Sequence, residues 1–363
     1  MKRPAAFATS LLLAASATAA SLDIAPGGYG LSLGNSKSIT GLRINAVDRG
    51  LEKVTGVNLT LWKAGGNPKA VINGLALGLI GPDARNINGV AIGVLGAKID
   101  RNMTGAGLGV IGLGIGRDLT GIAIGGIGTG VGRDLSGIAI GGIGVGVGVG
   151  KSMEGIAIGG IGAGVGEDLS GVAIGGIGVG TGRDLRGLTI GGVGAGIGRD
   201  LTGISVGGIG TGIGRDLVGL ATGGVGVGVG RNATGLLIGG IGVGIGKDLS
   251  GVAISGIGVG VGERAHGLII SGISVGVIHS ITGVVVSGLS VSAPEVKGLT
   301  VTALNGFRPK NWWFAGVNNS YTGLSIGLVN FSRSLKGVQL GVINYAGNNP
   351  RWLRLLPIAN AHF

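Results

Sequence analysis

Seven aspartates recur at one place in a repeated sequence and are the first candidates for binding a metal ion. They are Asp118, Asp134, Asp168, Asp184, Asp200, Asp216 and Asp248. The order Gly130-Val-Gly-Arg-Asp-Leu135 resembles the G-G-x-G-x-D-x-U-x repeat of calcium-binding β-rolls. Here, however, leucine directly follows the aspartate, the period is sixteen residues, and Arg or Lys precedes most of these aspartates and would repel a cation.

We therefore expect no bound calcium or other metal at this column of aspartates. Each Asp is predicted to accept a hydrogen bond from the backbone of its own turn. Neighbouring arginines, such as Arg133 and Arg183, are expected to offset the carboxylate charge through exposed ion pairs.

The glycine-rich motifs that could bind nucleotides lack the following helix that such binding requires. The G-x-G-x-x-G pattern matches in several frames because glycine is so frequent, and no match precedes a helix. The segment Gly144–Ser152 resembles a phosphate-binding loop, but the position five before Gly150 is Val145 and no helix-forming sequence follows. We predict no nucleotide cofactor.

The histidines do not form a catalytic or metal-binding pattern. His266, His279 and His362 have no ligand spacing and no paired carboxylates, and the chain has no Cys. We predict a non-enzymatic protein with no catalytic, cofactor-binding or metal-binding residues. A calcium-binding secreted β-roll or an enzyme is the third alternative for function.

Aromatic residues cluster near the C-terminus. Trp312, Trp313 and Phe314 interrupt the repeats, and Trp352 follows them. The simplest interpretation is a cap over the open end of the fold, and the alternative is contact with lipid or glycan.

Composition limits the class of protein and its partners. The chain of 363 residues has 88 Gly but 44% hydrophobic residues, which argues against disorder, and its 8 Pro are too few for collagen. The net charge is +12, yet aromatics are only 3% and no long basic run occurs, so we expect no nucleic-acid partner. Outer-membrane lipid or envelope polysaccharide is the partner that a basic surface favours.

The N-terminus is typical of a signal peptide. Lys2 and Arg3 precede an apolar segment over 5–15, and the small residues at 17–20 offer a cleavage site after Ala19 or Ala20. The apolar segment is too short to span a bilayer. We predict residues 1–20 to be a signal peptide and the protein to be exported to the periplasm, outer membrane or cell surface of a Gram-negative-type bacterium.

A tandem repeat of about sixteen residues dominates the rest of the chain. Each repeat opens with a glycine. The nineteen opening glycines are Gly41, Gly56, Gly74, Gly89, Gly105, Gly121, Gly137, Gly155, Gly171, Gly187, Gly203, Gly219, Gly235, Gly251, Gly267, Gly283, Gly298, Gly323 and Gly337.

Alternation within one repeat predicts two short strands. Ile122 and Ile124 alternate with Gly and Ala, and Ile127, Thr129 and Val131 alternate with Gly. Ile124 and Ile127 are three residues apart, so the alternation of side chains shifts by one residue at the two glycines 125–126. We expect a corner there, which would turn all five of these side chains into one interior, with the turn at 133–136 closing the coil.

Two strands and two corners at a fixed period predict an all-β fold, a parallel β-solenoid of about nineteen coils of 14–18 residues. The expected organisation is a capping segment over 21–40, the solenoid over 41–346 and a C-terminal cap over 347–363. Glycine on the outer face would leave a smooth surface that is open to self-association.

The alternative architecture is an outer-membrane β-barrel built as an antiparallel meander. It requires a β-bulge at 125–126 in a twelve-residue strand, and the terminal Phe363 resembles the end of such barrels. The predicted lumen would be lined by Gly and Ala where polar groups are expected.

The repeats near the C-terminus resemble a family of bacterial glycine-rich surface-repeat proteins. The segments Gly323-Leu-Ser-Ile-Gly-Leu-Val-Asn330 and Gly337-Val-Gln-Leu-Gly-Val-Ile-Asn344 follow the family's G-L-x-I-G-x-x-N unit. Gly41-Leu-Arg-Ile-Asn45 and the ending 356–363 are also similar. The resemblance implies a repeat protein of the cell envelope with a structural or surface-interaction role, and implies no site residues.

Overall fold

The computed structural model describes residues 21–142, 146–310 and 313–363. The chain is all-β with 71% strand, and it confirms the predicted parallel β-solenoid of about nineteen turns. It divides into two compact units, Met1–Gly166 and Glu167–Phe363. The predicted signal peptide over 1–20 and Trp312 lie outside the described residues.

The first unit contains strands β1 to β14. Their bounds are β1 Ser21–Ile24, β2 Tyr29–Gly34, β3 Ser38–Asp48, β4 Lys53–Ala64, β5 Val71–Gly78, β6 Asp83–Gly93, β7 Gly96–Gly109, β8 Gly112–Ile115, β9 Leu119–Gly125, β10 Gly128–Val131, β11 Leu135–Gly141, β12 Gly146–Val149, β13 Met153–Gly159 and β14 Gly162–Val165. A short 3₁₀ turn covers Pro26–Gly28.

The second unit contains strands β15 to β38. Their bounds are β15 Leu169–Gly175, β16 Gly178–Thr181, β17 Leu185–Gly191, β18 Gly194–Ile197, β19 Leu201–Gly207, β20 Gly210–Ile213, β21 Leu217–Gly223, β22 Gly226–Val229, β23 Ala233–Gly239, β24 Gly242–Ile245, β25 Leu249–Ser255, β26 Gly258–Val261, β27 Arg264–Ser271, β28 Ser274–Val277, β29 Ser280–Ser287, β30 Ser290–Ser292, β31 Glu295–Val301, β32 Leu304–Asn305, β33 Phe307–Lys310, β34 Trp313–Gly316, β35 Ser320–Ile326, β36 Val329–Ser332, β37 Ser334–Ala346 and β38 Leu355–His362. A 3₁₀ turn covers Arg351–Leu353.

Each central coil has one long strand and one short strand, and equivalent strands of successive coils pair in parallel. The long strand β9 pairs with β11, with Ile122 opposite Ile138, and the short strand β10 pairs with β8. The alternative meander requires antiparallel neighbours. The alternative prediction is therefore wrong for these repeats.

The glycine that opens each coil has a fixed structural role. All nineteen have φ between 123° and 142°, a region that L side chains rarely adopt. A Cβ added at Gly137 would also overlap the carbonyl oxygen of Gly121 in the preceding coil. The register between successive coils is thus fixed by a backbone approach that only glycine permits.

The prediction that the isoleucines face the interior is wrong for three of the five positions. Ile122, Ile124 and Ile127 are 42%, 37% and 46% exposed, whereas Thr129 and Val131 are buried as expected. The long strand instead turns Leu119 and Ala123 inward.

The tight corner explains this reversal. Gly125 faces inward, and a Cβ there would overlap the carbonyl oxygen of Gly128. Because facing alternates along a strand, an inward glycine at 125 places Ala123 inside and both neighbouring isoleucines outside. The interior is accordingly narrow, and in this coil it is filled by Leu119, Ala123 and Gly125 from the long strand and by Thr129 and Val131 from the short strand.

Each unit ends in an antiparallel strand. In the first unit, β1 pairs antiparallel with β2, and parallel stacking begins where Gly30 lies opposite Gly41. In the second unit, β38 pairs antiparallel with β37. The interruption predicted near Trp313 contains the antiparallel pair β33 and β34.

The reversed facing leads to a direct prediction about stability. Leu201→Ala removes a side chain that is 1% exposed and should cost about 2–4 kcal/mol, whereas Ile204→Ala, at 42% exposure, should cost less than about 1 kcal/mol. Chemical denaturation of the two variants measures the difference. An equal or larger loss at position 204 would show that isoleucine, not leucine, forms the core.

Candidate functional site

The most prominent feature of the surface is a sheet of aliphatic side chains on the outside of the long strands. We define the aliphatic face of the second unit as the side chains that follow each opening glycine by one and by three residues on its eleven long strands. The most exposed of them are Ile190, Ile204, Ile238, Ile270, Val284, Val286, Ile326 and Leu340. Soluble monomers rarely expose so extended an apolar surface.

A second apolar row runs along the corner beside this face. We call it the corner ridge, and in the second unit it includes Ile177, Ile209 and Ile241, which are 55%, 54% and 49% exposed. A shallow groove of about 720 Å³ lies between the ridge and the aliphatic face. Its lining includes Ile326 of the face and Leu328 of the ridge. The outer surface thus has both projecting rows and a recess.

The first unit repeats the same pattern. Ile156 and Ile158 lie outward on β13 at 37% and 38% exposure, and Ile161 at the corner is 43% exposed. The regular spacing of isoleucine at these positions was evident in the sequence. The predicted direction of the side chains, into the interior, is wrong, because they lie on the outer side of the strand.

The short strands present a different outer surface, which has almost no side chains. A Cβ added at Gly130, Gly212 or Gly244 would meet no atom within 4 Å. In contrast, a Cβ at Gly132 would overlap the carbonyl oxygen of Gly116. Glycine is therefore required at outer positions such as Gly132, where a side chain would clash with the preceding coil. At positions such as Gly130 there is room for a side chain.

The aspartate column forms a ladder between coils. Asp168 Oδ1 accepts a hydrogen bond from the backbone N–H of Asp184, at 3.2 Å, and Asp184 accepts one from Asp200, at 3.3 Å. The predicted hydrogen bond within each turn is therefore replaced here by one to the following coil. The stacking of identical turns brings the next backbone N–H directly over each carboxylate.

Arginines complete the ladder from the next coil. Arg183 contacts Asp168 at 2.7 Å and Arg199 contacts Asp184 at 2.9 Å, with all four side chains about one-third to two-fifths exposed. The hydrogen bond from Arg183 lowers the pKa of Asp168 below its ordinary value. Arg264 has the same effect on the pKa of Asp248.

These lowered pKa values predict a modest loss of stability in acid. A carboxyl group with a lowered folded-state pKa stabilises the fold above its unfolded pKa of about 3.9 and loses that contribution as pH falls through the folded value. The double variant Asp168→Asn/Asp248→Asn should therefore lose less Tm than the parent between pH 5 and pH 3. The pairs are exposed, so the difference should not exceed about 1 kcal/mol. An equal fall in Tm for the parent and the double variant over this pH range, measured by thermal melts, would contradict this role of the carboxylates.

The histidines lie at three different places. His266 is exposed on the outer side of β27, and His279 is exposed in the turn before β29. His362 lies on β38, and its Nδ1 is 2.7 Å from Asn349 Oδ1. The segment that resembles a phosphate loop is followed by the strand β13, and no helix begins there. Among the described residues, no group of three or more His, Asp or Glu is arranged to hold a metal ion.

Sequence reasoning missed two buried polar clusters. In the first unit, the fully buried Arg43 contacts Asp48 at 3.0 Å and Asn58 at 2.8 Å. In the second, Asn330 donates to Asn344 at 2.7 Å, so the asparagines of the G-L-x-I-G-x-x-N units stack inside the coils. Both clusters pair polar groups with one another in the interior, although Arg43 Nε has no hydrogen-bond partner, and burial closes both clusters to ligands.

Comparison with known proteins adds no relative to this geometry. No family model, curated protein or solved structure matches the chain. In the part of the chain that the structure describes, no helix has the length and hydropathy needed to cross a membrane.

Proposed function

We propose that this chain is an exported, non-enzymatic repeat protein of the cell envelope that acts through surface interaction. The observation that carries the proposal is the aliphatic face, because an extended apolar surface in water is stabilised when another surface covers it. The signal-peptide pattern at 1–20 supports export, and the resemblance over 323–363 supports the envelope.

The ladders and rows of the solenoid suit a structural role. Every coil repeats the same outer positions, so one contact made by one coil is repeated along the array. A repeated weak contact gives strong overall attachment without a specialised pocket. The basic net charge of +12 favours an anionic envelope as the setting.

Export is tested by fractionating the cells and measuring the intact mass of the protein. We expect a chain that begins after Ala19 or Ala20 in the envelope fraction. The matched control is Leu12→Arg, which places a charge in the apolar segment and should leave the uncleaved precursor inside the cell. An envelope protein that retains Met1, or a cytoplasmic protein of full mass, would contradict the proposal.

A further inference from the structure

We infer that the aliphatic face of the second unit binds the same face of a second copy of this chain. Two sheets would then pack face to face, as in a β-sandwich, with the outward isoleucines forming a shared core. The inference rests on the proposed interaction role of this face and names its partner.

The area of the face matches that of a stable dimer. Successive coils are about 4.8 Å apart and a seven-residue strand is about 23 Å long, so the eleven long strands offer about 1,200 Å² per copy. Two copies would bury roughly 2,400 Å², which is within the range of obligate homodimers. The outer face of the four-residue short strands is little more than half as wide.

The centre of the face has the composition of an interface core. From β19 to β25, the outward positions carry only aliphatic and hydroxyl side chains. Along one edge of these strands Thr202, Thr234 and Ser250 expose hydroxyl groups, and Val218 interrupts their row. Pairing two copies here would bury no charge at the centre and would leave a polar rim, the arrangement typical of stable interfaces.

The shape of the face is suited to an identical partner. The lining of the groove beside the aliphatic face includes Gly327 and Gly341, where a Cβ would overlap the backbone, so these two positions contribute no side chain to the groove. The walls include Ile326 and Leu328. A projecting row from a second copy has the aliphatic character and the regular spacing to enter such a groove.

A lipid surface fits this face less well. Proteins that lie on membranes combine aromatic side chains with clustered Lys and Arg. Among the described residues, the aliphatic face of the second unit carries no Phe, Tyr or Trp. In the row just before the opening glycines, the cations Arg186, Lys297 and Lys336 are not clustered at the centre, since Arg186 lies near one end of the array and the two lysines lie near the other. The face therefore favours a protein surface of its own kind.

The inference is tested with two charge variants of the mature full-length chain in detergent-free buffer. Ile204→Lys/Ile238→Lys places two lysines on the aliphatic face, at positions 42% and 38% exposed, where the ammonium groups can reach water in a monomer. The matched control, Gly212→Lys/Gly244→Lys, adds the same charge on the opposite face at positions with open space. Circular dichroism and Tm establish that both variants fold.

Sedimentation equilibrium then measures association. We expect the parent and the glycine control to dimerise alike, and the isoleucine variant to dimerise at least about 100-fold more weakly. Equal dimerisation of all three proteins would overturn the inference, as would a parent that is monomeric at about 100 µM.

A second measurement covers the case in which the lysine variant does not fold. With Ile270→Cys as the single thiol, maleimide labelling should slow as protein concentration rises, because the partner covers position 270. A concentration-independent rate would overturn the inference. A monomer that binds vesicles of anionic lipid through this face would overturn the second copy as partner but keep the proposed surface role, and a monomer that binds neither would overturn both.

Discussion

Gly126→Val is expected to destabilise the first unit by roughly 3 kcal/mol or more, whereas Gly130→Val in the same coil should change stability by less than about 1 kcal/mol. A Cβ at position 126 would overlap the carbonyl oxygen of Val110 in the preceding coil, and a Cβ at position 130 would meet nothing within 4 Å. The φ angle of Gly126 is not positive, so the cost arises from coil stacking.

Chemical denaturation of the two valine variants provides the comparison, and each serves as the control for the other. Valine is a good strand residue, so Gly130→Val is even expected to gain a little stability by restricting the unfolded chain. A large loss at position 130 would mean that the glycine there is required within the monomer. A negligible loss at position 126 would contradict the close stacking of coils at the corner.

Removing residues 187–202 is expected to harm the protein less than removing Thr189 alone. The long deletion joins Arg186 to Gly203 and keeps every remaining residue at its place in a coil, so it should cost only about 1–2 kcal/mol, the share of sixteen residues in overall stability. The single deletion moves Val193 to the position of Gly192, where a Cβ would overlap the carbonyl oxygen of Gly176.

We expect the loss of Thr189 to cost more than about 3 kcal/mol, because the array must distort or leave out a coil. Circular dichroism and denaturation midpoints of the two deletions and the parent measure this order. A fold that fails on the sixteen-residue deletion and tolerates the single one would contradict the coil as the repeating structural element.

Much of this fold could be predicted from the sequence because one period repeats so often. The spacing of the opening glycines, from Gly121 to Gly137 and onward, predicts coils of similar length and parallel pairing. The shift in alternation at the two glycines 125–126 also predicts where the chain turns. These features depend on local backbone geometry, which the pattern of glycines records directly.

The direction of the side chains could not be read from the same pattern. Alternation states that Ile122 and Ala123 lie on opposite faces but does not say which face is inside. Burial of the larger residue is the usual expectation, and here the tight corner at Gly125 overrides it. The aliphatic face, and with it the candidate interaction surface, could therefore not be predicted from the sequence.

The aspartate ladder shows the same limit at a smaller scale. The recurrence of Asp168 and Asp184 was evident, and their pairing with arginine was expected. The partner of each carboxylate is nevertheless a backbone N–H one coil away, which depends on the stacking distance and not on the turn itself. Contacts between repeats are invisible in the sequence of one repeat.

The most direct test of the account is the reactivity of single cysteines placed on the two sides of a coil. The chain has no Cys, so Ile190→Cys and Val227→Cys can each be made in the Ile204→Lys/Ile238→Lys background, where association is blocked. Ile190 is 36% exposed and Val227 is 3% exposed. We predict that maleimide labels position 190 at nearly the rate of the urea-unfolded chain and labels position 227 only on unfolding. Equal rates at the two positions, or protection at 190 with reaction at 227, would contradict a solenoid that carries the aliphatic face on its outer side.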